Sequence, residues 1–268
     1  MTESDDHRRR LAATFDTSAA FYDDVRPGYP ERLFEDLVGL AGLSDGARVL
    51  EIGCGTGKAS VPMARRGFRM TCLEPGPRLA AVAREKLRPY PLAEVVESSF
   101  EKSAGAPRSF DLVMAATSIA WVDPDVRYAK PAELLRPGGC LAVLWNAHVW
   151  PAAGDRFWLD VQDIYRRYTP AMADGPPPPP AALPTSIPDE MRAGGRFEEV
   201  AVRHYPWSES YDAARYVRLM RTFSNHIALS DDVREPLITD VSRMIDEKFG
   251  GSIVKHQVAV LQVVRLRD

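Results

Sequence analysis

The chain has 268 residues, of which 45% are hydrophobic and 26% charged, and its formal net charge is −3. This composition can bury one sizeable core, so we expect a single domain over residues 1–268. The acidic balance gives no electrostatic reason to bind nucleic acid, and no apolar run reaches the roughly 20 residues of a membrane span. The polar N-terminus is unlike a secretory signal, so we expect a cytoplasmic protein without nucleic-acid or membrane partners.

Hydrophobic periodicity predicts the elements in chain order. Helices are expected at residues 11–22 and 31–41, joined by the aromatic, proline-rich segment 26–30. Between residues 47 and 147, short apolar runs alternate with helical patterns, as in βαβ units around a parallel sheet. The expected strands are 47–53, 69–75, 93–99, 110–118 and 140–146, and the expected helices are about 58–66, 77–88 and 125–135.

The last third of the chain predicts a different arrangement. A helix is expected at about 154–168, followed by an extended polyproline stretch at 175–180. The remaining predictions are strands at 197–205 and 252–265 and helices at 211–222 and 231–249. If the two strands pair, they form an antiparallel terminal hairpin interrupted by a helical insertion at about 211–249. Connections in compact domains usually run roughly 2 to 6 residues, so an insertion of this length indicates a functional role.

A glycine-rich turn ends the first predicted strand and opens the next helix, at residues 49–57. Backbone N–H groups and the positive helix end favour a polar or anionic ligand at such a turn. A dinucleotide fingerprint needs glycine at position 58, which is Lys58 here. A P-loop needs serine or threonine at position 59, which is Ala59. Both nucleotide-binding patterns therefore fail at a specific residue.

The spacing Glu51-x-Gly53-x-Gly55-x-Gly57 instead resembles the first motif of class I S-adenosylmethionine-dependent methyltransferases. The resemblance continues in order through residues 72–75, 96–101, 110–124 and 134–139. It implies a Rossmann-like α/β fold with a seven-stranded, mostly parallel sheet, a terminal antiparallel hairpin and a helical lid. It also implies S-adenosylmethionine as the cofactor and S-adenosylhomocysteine as the product.

The resemblance assigns cofactor contacts to particular residues. Glu74 matches the position that accepts hydrogen bonds from the ribose hydroxyls, a role that two carboxylate oxygens suit. Phe100 is expected against the adenine, where Ser99 replaces the aspartate of many relatives. Tyr22 and Tyr29 either touch the methionyl end of the cofactor or pack an amphipathic lid. The implied cofactor-binding residues are Tyr22, Tyr29, Glu51, Gly53, Cys54, Gly55, Thr56, Gly57, Glu74, Pro75, Ser99, Phe100, Ala115, Thr117 and Trp121.

Methyl transfer is an in-line displacement, so the site must mainly align the reactants and exclude water. A base is needed only for some acceptors. His148 and His226 are the candidate catalytic bases, and the alternative for each is a hydrogen-bonded structural histidine. No metal site is expected, because a third ligand at suitable spacing is missing beside the aspartates at 123 and 125.

Three further residues are candidates for holding the acceptor. Arg26 and Arg221 can form bidentate pairs with an acidic substrate, or they are ordinary surface arginines. Trp145 can line an aromatic pocket, or it packs in the core. Similarity of residues 22–30 and 219–226 to a bacterial subgroup that includes trans-aconitate-like methyltransferases implies a small-molecule acceptor.

The sequence therefore predicts methylation of a small molecule, in specialised metabolism. Residues 1–44 would form an N-terminal helical lid, residues 45–147 the cofactor-binding core, and residues 148–268 the C-terminal strands with their insertion. Two alternatives remain: a non-catalytic S-adenosylmethionine-binding module and an NAD(P)-dependent oxidoreductase, which Lys58 disfavours. The sequence indicates neither the acceptor atom nor the oligomeric state.

Overall fold

The computed structural model describes residues 16, 23–151 and 155–267. Its centre is a seven-stranded sheet in the order β3-β2-β1-β4-β5-β7-β6. The strands are β1 (Arg48–Ile52), β2 (Arg69–Leu73), β3 (Ala93–Val96), β4 (Phe110–Ala116), β5 (Leu135–His148), β6 (Phe197–Asp212) and β7 (Ser252–Leu266).

The first five strands are parallel, and β7 runs antiparallel between β5 and β6. This topology confirms the predicted Rossmann-like α/β class with its terminal antiparallel hairpin. The chain leaves β1 toward β2 on one side, and it later returns to place β4 on the other side. Open α/β sheets bind ligands in the crevice at such a switch point, outside the carboxyl ends of the strands.

Helices cover both faces of the sheet, and a further helical layer lies over its C-terminal half. The helices are α1 (Glu31–Ala41), α2 (Ser60–Arg65), α3 (Pro77–Leu87), α4 (Pro124–Arg127), α5 (Ala129–Leu134), α6 (Arg156–Tyr168), α7 (Asp189–Ala193), α8 (Ala213–Met220), α9 (Ser224–Ile227) and α10 (Asp231–Lys248). Helices α1 to α3 share one core cluster with the sheet, and α5 and α7 contribute to a second cluster. A third cluster joins α6, α8 and α10, so the insertion between β6 and β7 packs on α6.

The predicted helix at 125–135 is wrong as a single element, because the structure divides it into α4 and α5. Pro131 has no N–H to donate to the carbonyl of Arg127, four residues earlier, and α4 ends at that residue. The predicted start of a helix at residue 211 is also wrong. Strand β6 continues to Asp212, whose side chain accepts a hydrogen bond from the Arg215 N–H at 2.6 Å and caps α8.

In the predicted polyproline stretch, residues 175–179 form neither helix nor strand, as their composition predicts, and a 3₁₀ turn begins at residue 180. The N-terminal helix expected at 11–22 lies outside the described residues, apart from residue 16. Among the helices that the structure describes, none combines the length and apolar character needed to cross a bilayer.

Candidate active site

A cavity of about 580 Å³ opens at the carboxyl ends of β1 and β4. This volume falls within the roughly 300 to 1,000 Å³ typical of small-molecule sites. The cavity extends from the glycine turn to the insertion. It is lined by Arg26, Pro27, Tyr29, Glu51, Gly53, Cys54, Gly55, Thr56, Lys58, Ala59, Glu74, Pro75, Leu79, Ala116, Thr117, Ser118, Trp121, Asn146, His148, Tyr211, Leu219, Phe223, Ser224, Asn225 and Gln257.

The glycine turn adopts a backbone that side chains disfavour. Gly53, Gly55 and Gly57 have φ angles of +64°, +56° and +83°. A β-carbon on Gly53 would lie 2.8 Å from the β-carbon of Ser118, closer than any relaxed contact. Gly53 and Gly55 line the cavity, whereas Gly57 does not and instead lies against Ala83 of α3. Glycine is therefore required at this turn both for its backbone angles and for close approach.

Glu74 follows β2 beside this turn, and its side chain is 6% exposed. One carboxylate oxygen accepts the Gly55 N–H at 2.8 Å, and the other accepts the Gly76 N–H at 2.9 Å. Burial raises the pKa of Glu74, although these two hydrogen bonds oppose the shift. Each carboxylate oxygen retains a further acceptor site, so Glu74 can also bind the hydroxyls of a ligand in the cavity.

Glu51 is almost fully buried at the end of β1 and accepts a hydrogen bond from the Ser60 hydroxyl at 2.5 Å. Burial, assisted by the nearby charge of Glu74, raises the pKa of Glu51 to about 8 despite that hydrogen bond. A cationic group placed beside Glu51 would favour its ionised form. The glycine-turn end of the cavity therefore favours hydroxyl and ammonium groups.

The segment before α1 lies over the cavity and is attached to the sheet at two points. The Tyr29 hydroxyl is 2.6 Å from the Thr117 hydroxyl, and the Asn146 amide donates to the Gly28 carbonyl at 2.8 Å. Trp207 in turn donates to the Asn146 oxygen at 3.1 Å, which sets the orientation of that amide. Thr117 has a φ of +58°, an unusual conformation for a β-branched residue and one that clusters at functional sites.

Asp23 attaches the same N-terminal segment to the glycine turn. It accepts a hydrogen bond from the Thr56 hydroxyl at 2.7 Å and pairs with Lys58 at 3.7 Å and with Lys86. Burial alone would raise the pKa of Asp23, but its hydrogen bonds and the two lysine charges lower the pKa instead. Lys58, the residue that breaks the dinucleotide pattern, thus lines the cavity and is paired with Asp23.

His148 lies at the carboxyl end of β5 and lines the cavity. Its Nδ1 atom is buried and has no hydrogen-bond partner among the described residues. The positive charge of Lys255, then burial, then the charge of Arg26 lower the pKa of His148 well below its usual value. The imidazole is therefore neutral at physiological pH and available to hydrogen-bond a ligand.

His226, the second predicted base, does not line the cavity and is 3% exposed. Its Nδ1 lies 3.0 Å from the Asn225 oxygen, which can only accept, so Nδ1 carries the proton. Nε2 then accepts from the Tyr165 hydroxyl at 2.8 Å. Burial, followed by the charge of Lys255, lowers the pKa of His226 to about 4. This geometry makes His226 a support for Asn225, which does line the cavity.

Two further candidates face away from the cavity because side chains alternate along a strand. On β5, Asn146 and His148 line the cavity, whereas Trp145 packs with the clusters on the opposite face. On β4, Ala115 is fully buried in the core, whereas Ala116 lines the cavity.

Three other candidates are occupied elsewhere or lie outside the cavity. Arg221 forms a bidentate pair with Glu235, at 2.7 and 2.5 Å. Phe100 is buried in the core with the Lys130 ammonium 4.9 Å from its ring centre, and Ser99 also lies outside the cavity. Arg26 does line the cavity, and Tyr22 lies outside the described residues.

The structure brings to the cavity several residues that sequence reasoning missed. Gln257 and Asn146 come from the C-terminal strands, and Ser224 and Asn225 come from the insertion. A signal for Gln257 was present in the sequence, because this polar residue directly precedes the apolar run 258–261. Polar residues inside a buried strand depart from the expected pattern and usually indicate function.

Comparison with known sequences identifies the central segment. The methyltransferase domain family matches residues 50–143. An uncharacterized methyltransferase of Mycobacterium tuberculosis is 32% identical over 139 residues, covering 52% of this chain and 54% of that protein. A ubiquinone biosynthesis O-methyltransferase of Xanthomonas campestris is 39% identical over 99 residues, 36% of this chain and 41% of that protein. The chain thus spans about half the length of these relatives or less.

Comparison with solved structures supports the fold. A protein from Anaeromyxobacter dehalogenans, proposed to be a type II methyltransferase, superposes with a TM-score of 0.58 at 21% identity, covering 91% of this chain and 99% of that one. The [4+2]-cyclase SpnF superposes with a TM-score of 0.52 at 18% identity, covering 90% and 84%. The same fold thus occurs in proteins described by different reactions, so the reaction must be argued from the site.

Proposed function

Because residues 50–143 match the methyltransferase domain family, we propose that this protein binds S-adenosylmethionine in the cavity and transfers its methyl group to a small-molecule acceptor. The observation that carries the proposal is the shape and lining of the cavity. One end holds the glycine turn with Glu51 and Glu74, and the other is walled by β5, β7 and the insertion. A cofactor at the first end would therefore face a space of a size suited to a small acceptor.

The residues at the glycine turn fit this cofactor. Gly53 and Gly55 present backbone without β-carbons to the cavity, and the acceptor oxygens of Glu74 suit a ribose diol. Glu51, held by Ser60, suits the ammonium of the methionyl group. When bound, the cofactor would supply an electrophilic methyl group on its sulfonium.

The chain's own contribution to methyl transfer would be orientation and the exclusion of water. Tyr29 and Trp121 line the cavity beside the carboxyl end of β4, and Phe223 lines it from the insertion. His148 presents a neutral imidazole to the acceptor end. An acceptor held there would meet the methyl group inside the cavity.

Calorimetric titration tests the cofactor assignment directly. Wild-type protein is titrated with S-adenosylhomocysteine, NAD and NADP. Binding of S-adenosylhomocysteine alone supports the proposal, whereas binding of a dinucleotide alone contradicts it. Glu74→Gln should weaken S-adenosylhomocysteine binding, and Glu97→Gln, on an exposed carboxylate, is the matched control.

A second measurement separates an enzyme from a non-catalytic binding module. Protein that binds S-adenosylhomocysteine is incubated with S-adenosylmethionine labelled at the methyl group and with panels of small-molecule acceptors. Transfer of label to an acceptor supports the enzymatic function. Tight cofactor binding without transfer across broad panels favours the binding module.

A further inference from the structure

Two buried polar groups point into the inner end of the cavity without partners. Gln257 is 1% exposed and lines the cavity, and neither atom of its side-chain amide has a hydrogen-bond partner in the part of the chain that the structure describes. The Nδ1 atom of His148 is likewise buried and has no hydrogen-bond partner among the described residues. Buried polar groups are almost always hydrogen-bonded, so these atoms indicate a ligand that completes them.

Strand register places these two side chains next to each other. His148 of β5 lies directly opposite Gln257 of β7 in the antiparallel ladder. Residues opposed in this way project from the same face, with β-carbons about 4.5 to 5.5 Å apart. An amide N–H and an imidazole N–H can therefore converge on one ligand group. That group must accept two hydrogen bonds.

The charge around this pair is positive. Lys255 lies two residues before Gln257 on the same face of β7, and it is 1% exposed. Its ammonium lies 5.3, 5.2 and 5.4 Å from the ring centres of Trp158, Tyr216 and Phe223. Phe223 also lines the cavity, so this cation lies beside the cavity wall.

A second cation, Arg26, contacts the ring of Phe223, and the acid that attracts Lys255 is already hydrogen-bonded. The Arg26 guanidinium lies 4.8 Å from the centre of Phe223 and lines the cavity. Glu209, opposite Lys255 in the β6–β7 ladder, pairs with Arg215 at 2.5 Å and accepts the Tyr211 hydroxyl at 2.8 Å. Glu209 attracts Lys255 electrostatically, but among the described residues no direct ion pair joins the Lys255 ammonium to a carboxylate. A buried charge that is only partly compensated is unfavourable, so an anion is expected here.

We propose that the inner end of the cavity binds a carboxylate of the methyl acceptor, with hydrogen bonds from Gln257 and His148 and favourable charge from Lys255 and Arg26. This inference rests on the proposed function, because it assigns the glycine-turn end to the cofactor. It adds a substrate class: small molecules with a carboxylate remote from the methylated atom. Neutral analogues would leave the buried ammonium of Lys255 without an anion beside it and the two donors unpaired.

Calorimetry of protein saturated with S-adenosylhomocysteine tests this inference with benzoate against benzamide and hexanoate against hexanamide. We expect each carboxylate to bind at least about tenfold more tightly than its amide, as for a hydrogen-bonded charge. Lys255→Met and Gln257→Leu should each abolish this preference. Lys248→Met removes an exposed ammonium from α10 as the control and should preserve the preference.

The cofactor also carries a carboxylate, and a second titration separates the two sources. S-adenosylhomocysteine is compared with 5′-methylthioadenosine, which lacks the amino-acid part. If the Lys255 and Gln257 variants weaken only S-adenosylhomocysteine, the site holds the cofactor carboxylate and the inference is overturned. Equal binding of acids and amides, absence of carboxylate binding, or a preference that survives in both variants also overturns it. Failure of wild-type protein to bind S-adenosylhomocysteine would instead count against the proposed function.

Discussion

Replacing Lys255 by methionine should stabilise the fold, and the gain should depend on pH. Burial, followed by the charge of Arg26, lowers the pKa of Lys255 to about 7, although Glu209 partly opposes the shift. The reference pKa of lysine in an unfolded chain is about 10.4. As pH falls between these values, the unfolded chain binds a proton that the folded chain does not, so folding stability falls. Below the lower pKa both states are charged, and the loss is complete.

The size of this effect follows from the pKa difference. One pKa unit corresponds to about 1.36 kcal/mol, so the full difference amounts to roughly 5 kcal/mol. Methionine is unbranched and apolar, and it fills a similar space among the aromatic rings. The stability advantage of Lys255→Met over wild type should therefore grow as pH falls from about 10 to about 7 and then remain constant.

Urea denaturation of both proteins across this pH range measures the difference in unfolding free energy. Lys248→Met, at a side chain that is 63% exposed, controls for the loss of one positive charge. Curves for wild type and Lys255→Met that run parallel over the whole range would refute the reasoning. They would mean that Lys255 is as well solvated in the folded protein as in the unfolded chain.

Three further predictions concern the glycine turn, the acid after β2 and the second histidine. Gly53→Ala adds a β-carbon 2.8 Å from a neighbouring side chain at a φ of +64°, so it should cost about 1–3 kcal/mol of stability and impair S-adenosylhomocysteine binding. Thermal denaturation measures the loss of stability, with Gly39→Ala, in open space within α1, as the control. Equal stability of the two variants would contradict the strain argument. Glu74→Gln should weaken calorimetric binding of S-adenosylhomocysteine about tenfold, and an affinity matching that of Glu97→Gln would exclude the diol contact. His226→Phe removes two buried hydrogen bonds and should lower the unfolding free energy, measured by denaturant titration, by about 1–3 kcal/mol. Unchanged stability, together with loss of one ionisation from the pH dependence of the reaction rate, would instead indicate that His226 acts as a base.

Much of the fold could be predicted because its determinants are local. The glycines at 53, 55 and 57 indicate a turn that other residues disfavour, and the structure gives all three positive φ angles. Alternating apolar runs predicted the five parallel strands, with errors mainly at their ends. The break at Pro131 could also have been predicted, because the missing proline N–H interrupts a helix at a known position. The helical pattern over 125–135 nevertheless favoured one continuous helix.

The candidate site could be predicted only in part, because a side chain's direction depends on register. Trp145 and Asn146 are adjacent and equally suited to a pocket, yet alternation along β5 sends only Asn146 to the cavity. Arg221 had the right chemistry for an acidic substrate, but α10 brings Glu235 within 2.5 Å of it. Ion pairs between distant segments cannot be inferred from either segment alone.

By itself, the sequence determined the fold class, the glycine turn and the acid that follows β2, because each depends on backbone angles or on periodicity within a few residues. Only the tertiary structure decided which end of the cavity is positive. Lys255 and Gln257 enter the chain more than a hundred residues after β5, and antiparallel pairing then sets Gln257 opposite His148. Burial beneath the insertion leaves the Gln257 amide without hydrogen-bond partners in the described part of the chain, and burial depends on packing between elements that no local pattern specifies.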